Sequence, residues 1–81
     1  MINKQRIADN IESAREEKGF TISELRRRIG RDGKPFSHSQ YYRIKNGEQL
    51  PSIRVLFMLS NVLSISIDDL LRGVEQQIGG E

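Results

Sequence analysis

Two short stretches decide the fold of this chain: FTISEL at residues 20–25 and FSHSQY at residues 36–41. In each stretch a hydroxyl residue is followed three positions later by Glu or Gln, which is the capping-box pattern of a helix N-terminus. The two pairs are Thr21 with Glu24 and Ser37 with Gln40. The sequence therefore predicts two short helices in tandem.

Hydrophobic spacing and helix-stop residues predict three further helices around this pair. We expect a compact all-α domain over residues 1–73, and a tail over residues 74–81 that is partly disordered or associated with a dimer and frays from Gly73. The predicted helices span residues 4–18, 22–29, 37–45, 53–63 and 66–73. The inward stripe predicted for the fourth helix consists of Ile53, Leu56, Leu59 and Leu63.

The composition excludes several functional classes. The 81 residues contain no cysteine and a single histidine, His38, which excludes disulfide frameworks, thiol catalysis and zinc sites built from cysteine and histidine. No apolar run approaches the ~18 residues that a membrane-spanning helix needs. We therefore expect a cytoplasmic protein with no cofactor, no metal ion and no membrane association.

The charges are segregated along the chain. Residues 21–54 carry eight basic and three acidic side chains, a net charge of +5, whereas residues 55–81 carry a net charge of −3. The alternative interpretation is that the charges serve only solubility, in which case basic and acidic side chains would be mixed along the chain. A basic surface on the tandem helices is expected to attract phosphate.

The helix predicted at residues 37–45 is too short to be stable alone, so one side must pack on the rest of the domain. Tyr41 and Ile44 mark that side. At about 100° per residue, the outward side chains are Ser39, Tyr42, Arg43 and Asn46, with His38 at a flank. Arginine matches guanine O6 and N7 in the major groove, and serine bonds to several base edges. This outline of a helix-turn-helix makes DNA the first partner to consider.

Each of these side chains also has a structural alternative. Arg43 is otherwise a solvated charge, Tyr42 a partly buried packing residue, and His38 an ordinary surface residue. Ser37 serves as an N-cap, and Asn46 as a helix terminator, whether or not either of them contacts a phosphate.

In combination, these features resemble the phage-repressor and Cro-type (lambda-repressor-like) helix-turn-helix family. The resemblance covers roughly residues 7–71 and includes REEKGFT at 15–21, SHSQYYRIKNG at 37–47, LPSI at 50–53 and ISIDDLL at 65–71. It implies a five-helix domain that often binds palindromic operators as a dimer. It also implies that His38, Ser39, Tyr42 and Arg43 read bases and that Ser37 and Asn46 lie near phosphates.

The connection between the tandem helices departs from that family's pattern. The five residues RDGKP at 31–35 lengthen what is usually a tight turn. We expect Arg31 and Lys34 to form a wing on the DNA backbone, the alternative being a longer, mobile linker. Arg26 stands where the family keeps a small residue, and its stem is expected to bend out to solvent. The predicted backbone contacts are Arg26, Arg28, Arg31, Lys34, Ser37 and Asn46.

A second departure concerns Arg15. In the family the matching arginine typically pairs with an acid at the position that Lys45 occupies here. Arg15 therefore needs another partner, and the candidates are Glu24 and Glu48.

The C-terminal half is richer in apolar residues than a domain of this size is expected to bury, and a surplus apolar surface usually marks a contact site. We expect a homodimer that places two reading helices about 34 Å apart, one turn of DNA. The alternative is that Val74 and Ile78 fold back on the same monomer. The predicted interface consists of Met58, Ile65, Ile67, Leu70, Leu71 and Val74.

Taken together, the sequence predicts a sequence-specific regulator of transcription, by preference a repressor, that binds double-stranded DNA. The alternative is a protein-interaction module, such as an antitoxin-like or regulatory subunit, that uses the same fold to hold a partner protein. An enzyme is not favoured, because the carboxylates are scattered and no nucleophile–base pair is evident. RNA is not favoured, because aromatic platforms for single-stranded bases are missing.

Overall fold

The computed structural model describes residues 2–75, and within them the chain forms five α-helices and no sheet. They are α1 (Lys4–Lys18), α2 (Ile22–Arg28), α3 (His38–Lys45), α4 (Ile53–Leu63) and α5 (Ile67–Leu70). The predicted all-α, five-helix fold is thereby confirmed. None of these helices is long and apolar enough to cross a bilayer.

Each helix begins at a small polar residue that caps it. The side chains of these residues accept a hydrogen bond from the backbone N–H three positions on, which satisfies a donor that the helix itself leaves free. At Thr21 the capping box is complete, since Glu24 N–H donates to Thr21 Oγ1 (3.1 Å) and Thr21 N–H donates to Glu24 Oε1 (2.8 Å). The five N-caps are Asn3, Thr21, Ser37, Ser52 and Ser66.

The core lies between α1 and the other four helices. Its largest fully buried side chains are Ile7, Leu25, Ile29, Leu59 and Leu70. On α4 the buried stripe runs through Val55, Leu59 and Leu63, whereas Ile53 is 72% exposed. The prediction that Ile53 begins the inward stripe is therefore wrong. The buried residues Val55, Leu59 and Leu63 follow one another at intervals of four residues. Ile53 lies two positions before Val55, which places it about 200° away from Val55 around the helix axis.

Backbone hydrogen bonding joins the two ends of the described chain. Asn3 N–H donates to the Val74 carbonyl oxygen (2.6 Å), and Ile2 forms an antiparallel bridge with Glu75. From α1, Asn10 Nδ2 donates to the carbonyl oxygens of Leu70 (2.8 Å) and Arg72 (3.0 Å). The prediction that the chain frays from Gly73 is therefore wrong for residues 73–75.

This arrangement corrects part of the predicted dimer interface. Leu70 and Val74 are 0% and 5% exposed, so they belong to the core of the monomer and present no surface to a second copy. The alternative in which Val74 folds back on its own chain is the observed one. Ile78 and the rest of the predicted tail beyond Glu75 lie outside the described residues.

Candidate nucleic-acid interface

Helix α3 separates a packing side from an outward side. Tyr41 and Ile44 are buried, while the side chains predicted to read bases are turned outward to different degrees. His38, Ser39 and Arg43 are exposed, and Tyr42 is half-buried and packs partly against the core. The structure therefore brings the four predicted residues together on one short helix. That they read bases stays a prediction.

Tyr42 is the centre of a small aromatic and cationic cluster. The His38 ring lies one turn earlier, with the two ring centroids 4.5 Å apart, and Lys45 Nζ lies 6.0 Å from the Tyr42 centroid. The Tyr41 ring meets Tyr42 edge-on at 5.9 Å. Tyr42 is thus a packing residue as well as a surface residue, and its contacts restrict its own motion and that of His38.

A chain of hydrogen bonds ties α3 to α1. The Tyr41 hydroxyl donates to Glu12 Oε2 (2.6 Å), and Arg15 Nη2 donates to Glu12 Oε1 (2.9 Å). Arg15 Nη1 donates to the Phe20 carbonyl oxygen (2.6 Å), and Glu16 lies 3.8 Å from the Arg15 guanidinium. The hydrogen bond that Arg15 donates to Glu12 raises the pKa of Arg15, and burial, reinforced by the Glu12 carboxylate, raises the pKa of Tyr41.

The prediction that Glu24 or Glu48 would pair with Arg15 is therefore wrong. Glu24 is engaged in the Thr21 cap, whereas Glu12 lies one turn before Arg15 on the same helix. The signal that sequence reasoning missed is the i, i+3 spacing of Glu12 and Arg15, which places oppositely charged side chains side by side.

The extended connection between α2 and α3 is a tight hairpin, which we call the wing (residues 31–34). Lys34 N–H donates to the Arg31 carbonyl oxygen (3.0 Å), and the two residues form an antiparallel bridge. Asp32 and Gly33 both have positive φ, 55° and 72°, as a type I′ turn requires. The connection therefore has a defined geometry, unlike the mobile linker that was the alternative.

The base of the wing is held against α2. Arg26 Nε donates to the Phe36 carbonyl oxygen, and Phe36 N–H donates to the Arg26 carbonyl oxygen, both at 2.8 Å. The expectation that Arg26 bends out to solvent is wrong, because the backbone that follows the wing offers its guanidinium an acceptor, the Phe36 carbonyl oxygen. Gly30 makes the close approach possible, since a Cβ there would stand 1.8 Å from the Lys34 carbonyl oxygen.

The other predicted backbone contacts lie around α3. Arg31 and Lys34 are exposed on the wing, and the Arg28 guanidinium lies 4.4 Å from the centroid of the Phe20 ring. Ser37 caps the start of α3 and Asn46 caps its end. A cleft of about 440 Å³ separates the wing from the first turns of α3 and α4.

Sequence reasoning did not single out Arg54, which lies on the wall of that cleft. Its Nη1 donates to the Ile29 carbonyl oxygen at the end of α2 (3.3 Å). The Arg54 side chain thus contributes positive charge beside the wing while linking α4 to α2.

Comparison with known proteins agrees with this geometry. A family model described as helix-turn-helix (HTH_3) matches residues 11–70, a span that begins within α1 and ends with α5. No curated protein and no solved structure gives a significant match. Because the matched span includes α2, α3 and most of the chain, this protein belongs to the XRE/lambda-repressor-like helix-turn-helix family of DNA-binding regulators.

Proposed function

We propose that the protein regulates transcription by binding a specific double-stranded DNA sequence, with α3 in the major groove. The observation that carries this proposal is the two-sidedness of α3. The helix buries Tyr41 and Ile44 and turns Ser39 and Arg43 to solvent, within a segment of the chain that carries a net charge of +5. Major-groove readers of this kind present base-bonding side chains on a helix that the domain supports from behind.

The side chains of the proposed interface divide into those that would read bases and those that would contact the DNA backbone. Arg43 has the shape to bond guanine O6 and N7, and Ser39 can bond to several base edges. His38 and Tyr42, stacked on each other, complete the reading surface. Backbone contacts from Ser37, Asn46 and Arg28 would fix the register of the helix without reading sequence. Arg26 is assigned to support of the wing, because its guanidinium is bonded to Phe36.

The wing adds a second backbone contact beside α3. Its hairpin geometry fixes where Arg31 and Lys34 emerge, so their charges act at a defined place. The double variant Arg31→Ala/Lys34→Ala is expected to weaken binding to all duplexes alike and to reduce the salt slope by about two. Lys4→Ala/Lys18→Ala removes the same charge from α1 as a control. A loss confined to one duplex would contradict the proposed contact.

A homodimer is the assembly that fits this mode of binding, since two copies would present their α3 helices to half-sites about one turn of DNA apart. Met58, Ile65 and Ile67 from the predicted interface are half-buried, and Leu71 is exposed. The two most exposed large apolar side chains lie outside the predicted interface. They are Ile53 (72%) and Phe57 (56%), one turn apart on α4. Ile53 and Phe57 therefore join Leu71 in the proposed interface.

The testing experiment is selection of bound duplexes from a random DNA pool at two salt concentrations. A two-fold symmetric motif with half-sites about ten base pairs apart is expected. Weak, salt-sensitive binding without a motif would contradict sequence-specific regulation. Repression is tested by placing the selected site over a promoter: occupancy should lower transcription of a reporter in the cytoplasm.

The exposed Ile53–Phe57 pair also supports a second candidate, in which the fold holds a partner protein. Sedimentation equilibrium separates the two. If the wild type is a dimer and Phe57→Ser is a folded monomer, the apolar surface serves self-association. If the wild type is a monomer that binds single half-sites, the result supports a regulatory protein as the partner of this surface.

A further inference from the structure

Helix α3 has few apolar anchors. Of its eight residues only Tyr41 and Ile44 are buried, and both lie on one side of the helix. Apolar packing is non-directional, so two such contacts on one line leave the roll of α3 about its own axis weakly determined. A directional contact is needed to fix where the outward side chains point.

The hydroxyl of Tyr41 makes a directional contact. It donates to Glu12 Oε2 on α1 at 2.6 Å, a length typical of an O–H···O⁻ hydrogen bond to an ionised acceptor. Burial and the Glu12 carboxylate both raise the pKa of Tyr41. The hydroxyl therefore keeps its proton at neutral pH and remains a donor.

The acceptor is itself held in place. Glu12 Oε1 accepts from Arg15 Nη2 (2.9 Å), and Arg15 Nη1 donates to the Phe20 carbonyl oxygen just before α2 (2.6 Å). The side chains of Arg15 and Glu12 are only 14% and 19% exposed, which limits competition from water. Glu12 therefore cannot readily follow α3 if that helix rolls, and it acts as a fixed point.

We propose that Glu12 is a positioning residue for DNA recognition: through Tyr41 it sets the roll of α3 and so directs Ser39 and Arg43 at base edges. The inference rests on the proposed function of α3 as the reading helix. Glu12 makes no contact with DNA in this role and lies on α1, behind α3. Recognition sites are sensitive to their supporting contacts, and a displacement of about 1 Å is enough to impair them.

Tyr41→Phe is the central test, because it removes the hydroxyl and leaves the ring in the core. The affinities of wild type and variant are measured for the selected duplex and for its single-base variants. We expect Tyr41→Phe to lose about ten- to a hundredfold in affinity for the selected duplex, which corresponds to the usual size of one hydrogen bond to a charged group. The loss for mismatched duplexes should be smaller, so discrimination falls while the salt slope is unchanged.

Three further comparisons separate positioning from stability. Ile7→Val truncates a buried side chain outside the hydrogen-bond chain, and at a temperature where both variants are folded it should keep wild-type discrimination. Glu12→Gln retains an acceptor oxygen and should keep more discrimination than Glu12→Ala. The double variant Tyr41→Phe/Glu12→Ala should lose no more discrimination than the larger of the two single losses, because both substitutions break the same bond.

The proposal is overturned if Tyr41→Phe discriminates as well as the wild type, even when it melts at a lower temperature. It is also overturned if Ile7→Val loses discrimination to the same extent, since the effect would then follow stability alone. If wild-type protein selects no duplex at all, the proposed function fails first. The selection experiment on wild-type protein therefore distinguishes the two failures.

Discussion

The domain contains two regions that are held in different ways. The platform, formed by α1, α4 and α5, is held by apolar side chains at helical spacing, such as Ile7 and Leu59, which are almost fully buried. The presenting segment, residues 30–45, contains the wing and α3 and has only Tyr41 and Ile44 buried. Its shape depends on polar contacts to its surroundings, from Arg26 to Phe36 and from Tyr41 to Glu12.

Under the proposed function, this difference follows from what the presenting segment has to display. A surface that bonds to bases and phosphates must turn polar side chains outward, which leaves few apolar ones to anchor it. Directional hydrogen bonds then replace apolar packing as the means of fixing its geometry. We therefore expect substitutions in the platform to act mainly on the free energy of unfolding, and substitutions in the presenting segment to act mainly on DNA affinity and discrimination.

The largest effect is expected from Leu59→Ala in the platform. Leu59 is 1% exposed, and truncating such a side chain typically costs about 2–5 kcal/mol of unfolding free energy. Ile53→Ala on the same helix is the matched control, because Ile53 is exposed and its loss should change monomer stability by less than about 0.5 kcal/mol. Urea denaturation at protein concentrations low enough to keep the chain monomeric measures both, so that the proposed dimer contact of Ile53 does not contribute. Similar losses of unfolding free energy for the two variants would contradict the assignment of Leu59 to the buried side and Ile53 to the exposed side of α4.

Arg43→Ala should show the opposite behaviour in the presenting segment. Removal of the exposed guanidinium that we propose to bond a guanine is expected to cost about 1–3 kcal/mol of binding free energy and to relax the preference at one base position. The free energy of unfolding should be unchanged within about 0.5 kcal/mol. Binding titrations against the selected duplex and its variants measure the effect, with Arg72→Ala near α5 as a charge-matched control. A variant with full specificity would contradict the assigned reading surface.

Much of the platform could be predicted from the sequence, because its signals are local and periodic. The polar caps at Ser52 and Ser66 and the inward stripe of α1 follow from residue type and spacing, and the helix bounds match within a few residues. Ile53 was assigned to the wrong side since two apolar stripes overlap on α4. Spacing alone does not say which of them meets the rest of the domain.

The contacts of the presenting segment could not be predicted in the same way. The bond from Tyr41 to Glu12 joins residues 29 positions apart, and the bond from Arg26 to Phe36 depends on how the wing turns back. The Asp32-Gly33 pair is a recognised signal for a type I′ hairpin, but by itself it leaves open whether residues 31–35 form a defined wing or a mobile linker. The outward direction of Arg43 did follow from the sequence, because Tyr41 and Ile44 fix the buried side of α3.

Gly30→Ala tests whether the wing depends on close backbone packing. The added Cβ would meet the Lys34 carbonyl oxygen at 1.8 Å, so the wing must shift, at an expected cost of about 1–2 kcal/mol of unfolding free energy. Gly33→Asn is the control, because nothing lies within 4 Å of a Cβ there and asparagine tolerates positive φ. Thermal unfolding measures stability, and binding at two salt concentrations measures the backbone contact. Equal effects of the two substitutions would mean that Gly30 serves only as a turn residue.

The smallest effect concerns the cap of α2, which leads into the presenting segment. The backbone hydrogen bond from Thr21, followed by the bond with the Thr21 side chain, lowers the pKa of Glu24 from its ordinary value of 4.5. A carboxylate whose pKa is lower in the folded state stabilises the protein above its unfolded-state pKa, and the stabilisation is lost as the pH falls through the folded-state value.

Glu24→Gln should therefore melt below the wild type at neutral pH, and the gap should close as the pH falls below about 4.5. Thermal unfolding of both proteins from about pH 7 to about pH 3 measures this. Glu17→Gln on the exposed side of α1 is the control, because Glu17 forms no side-chain hydrogen bond within residues 2–75, and it should show no such closing gap. A gap between wild type and Glu24→Gln that persists to the lowest pH would show that the glutamate stabilises α2 through its shape and not through its charge.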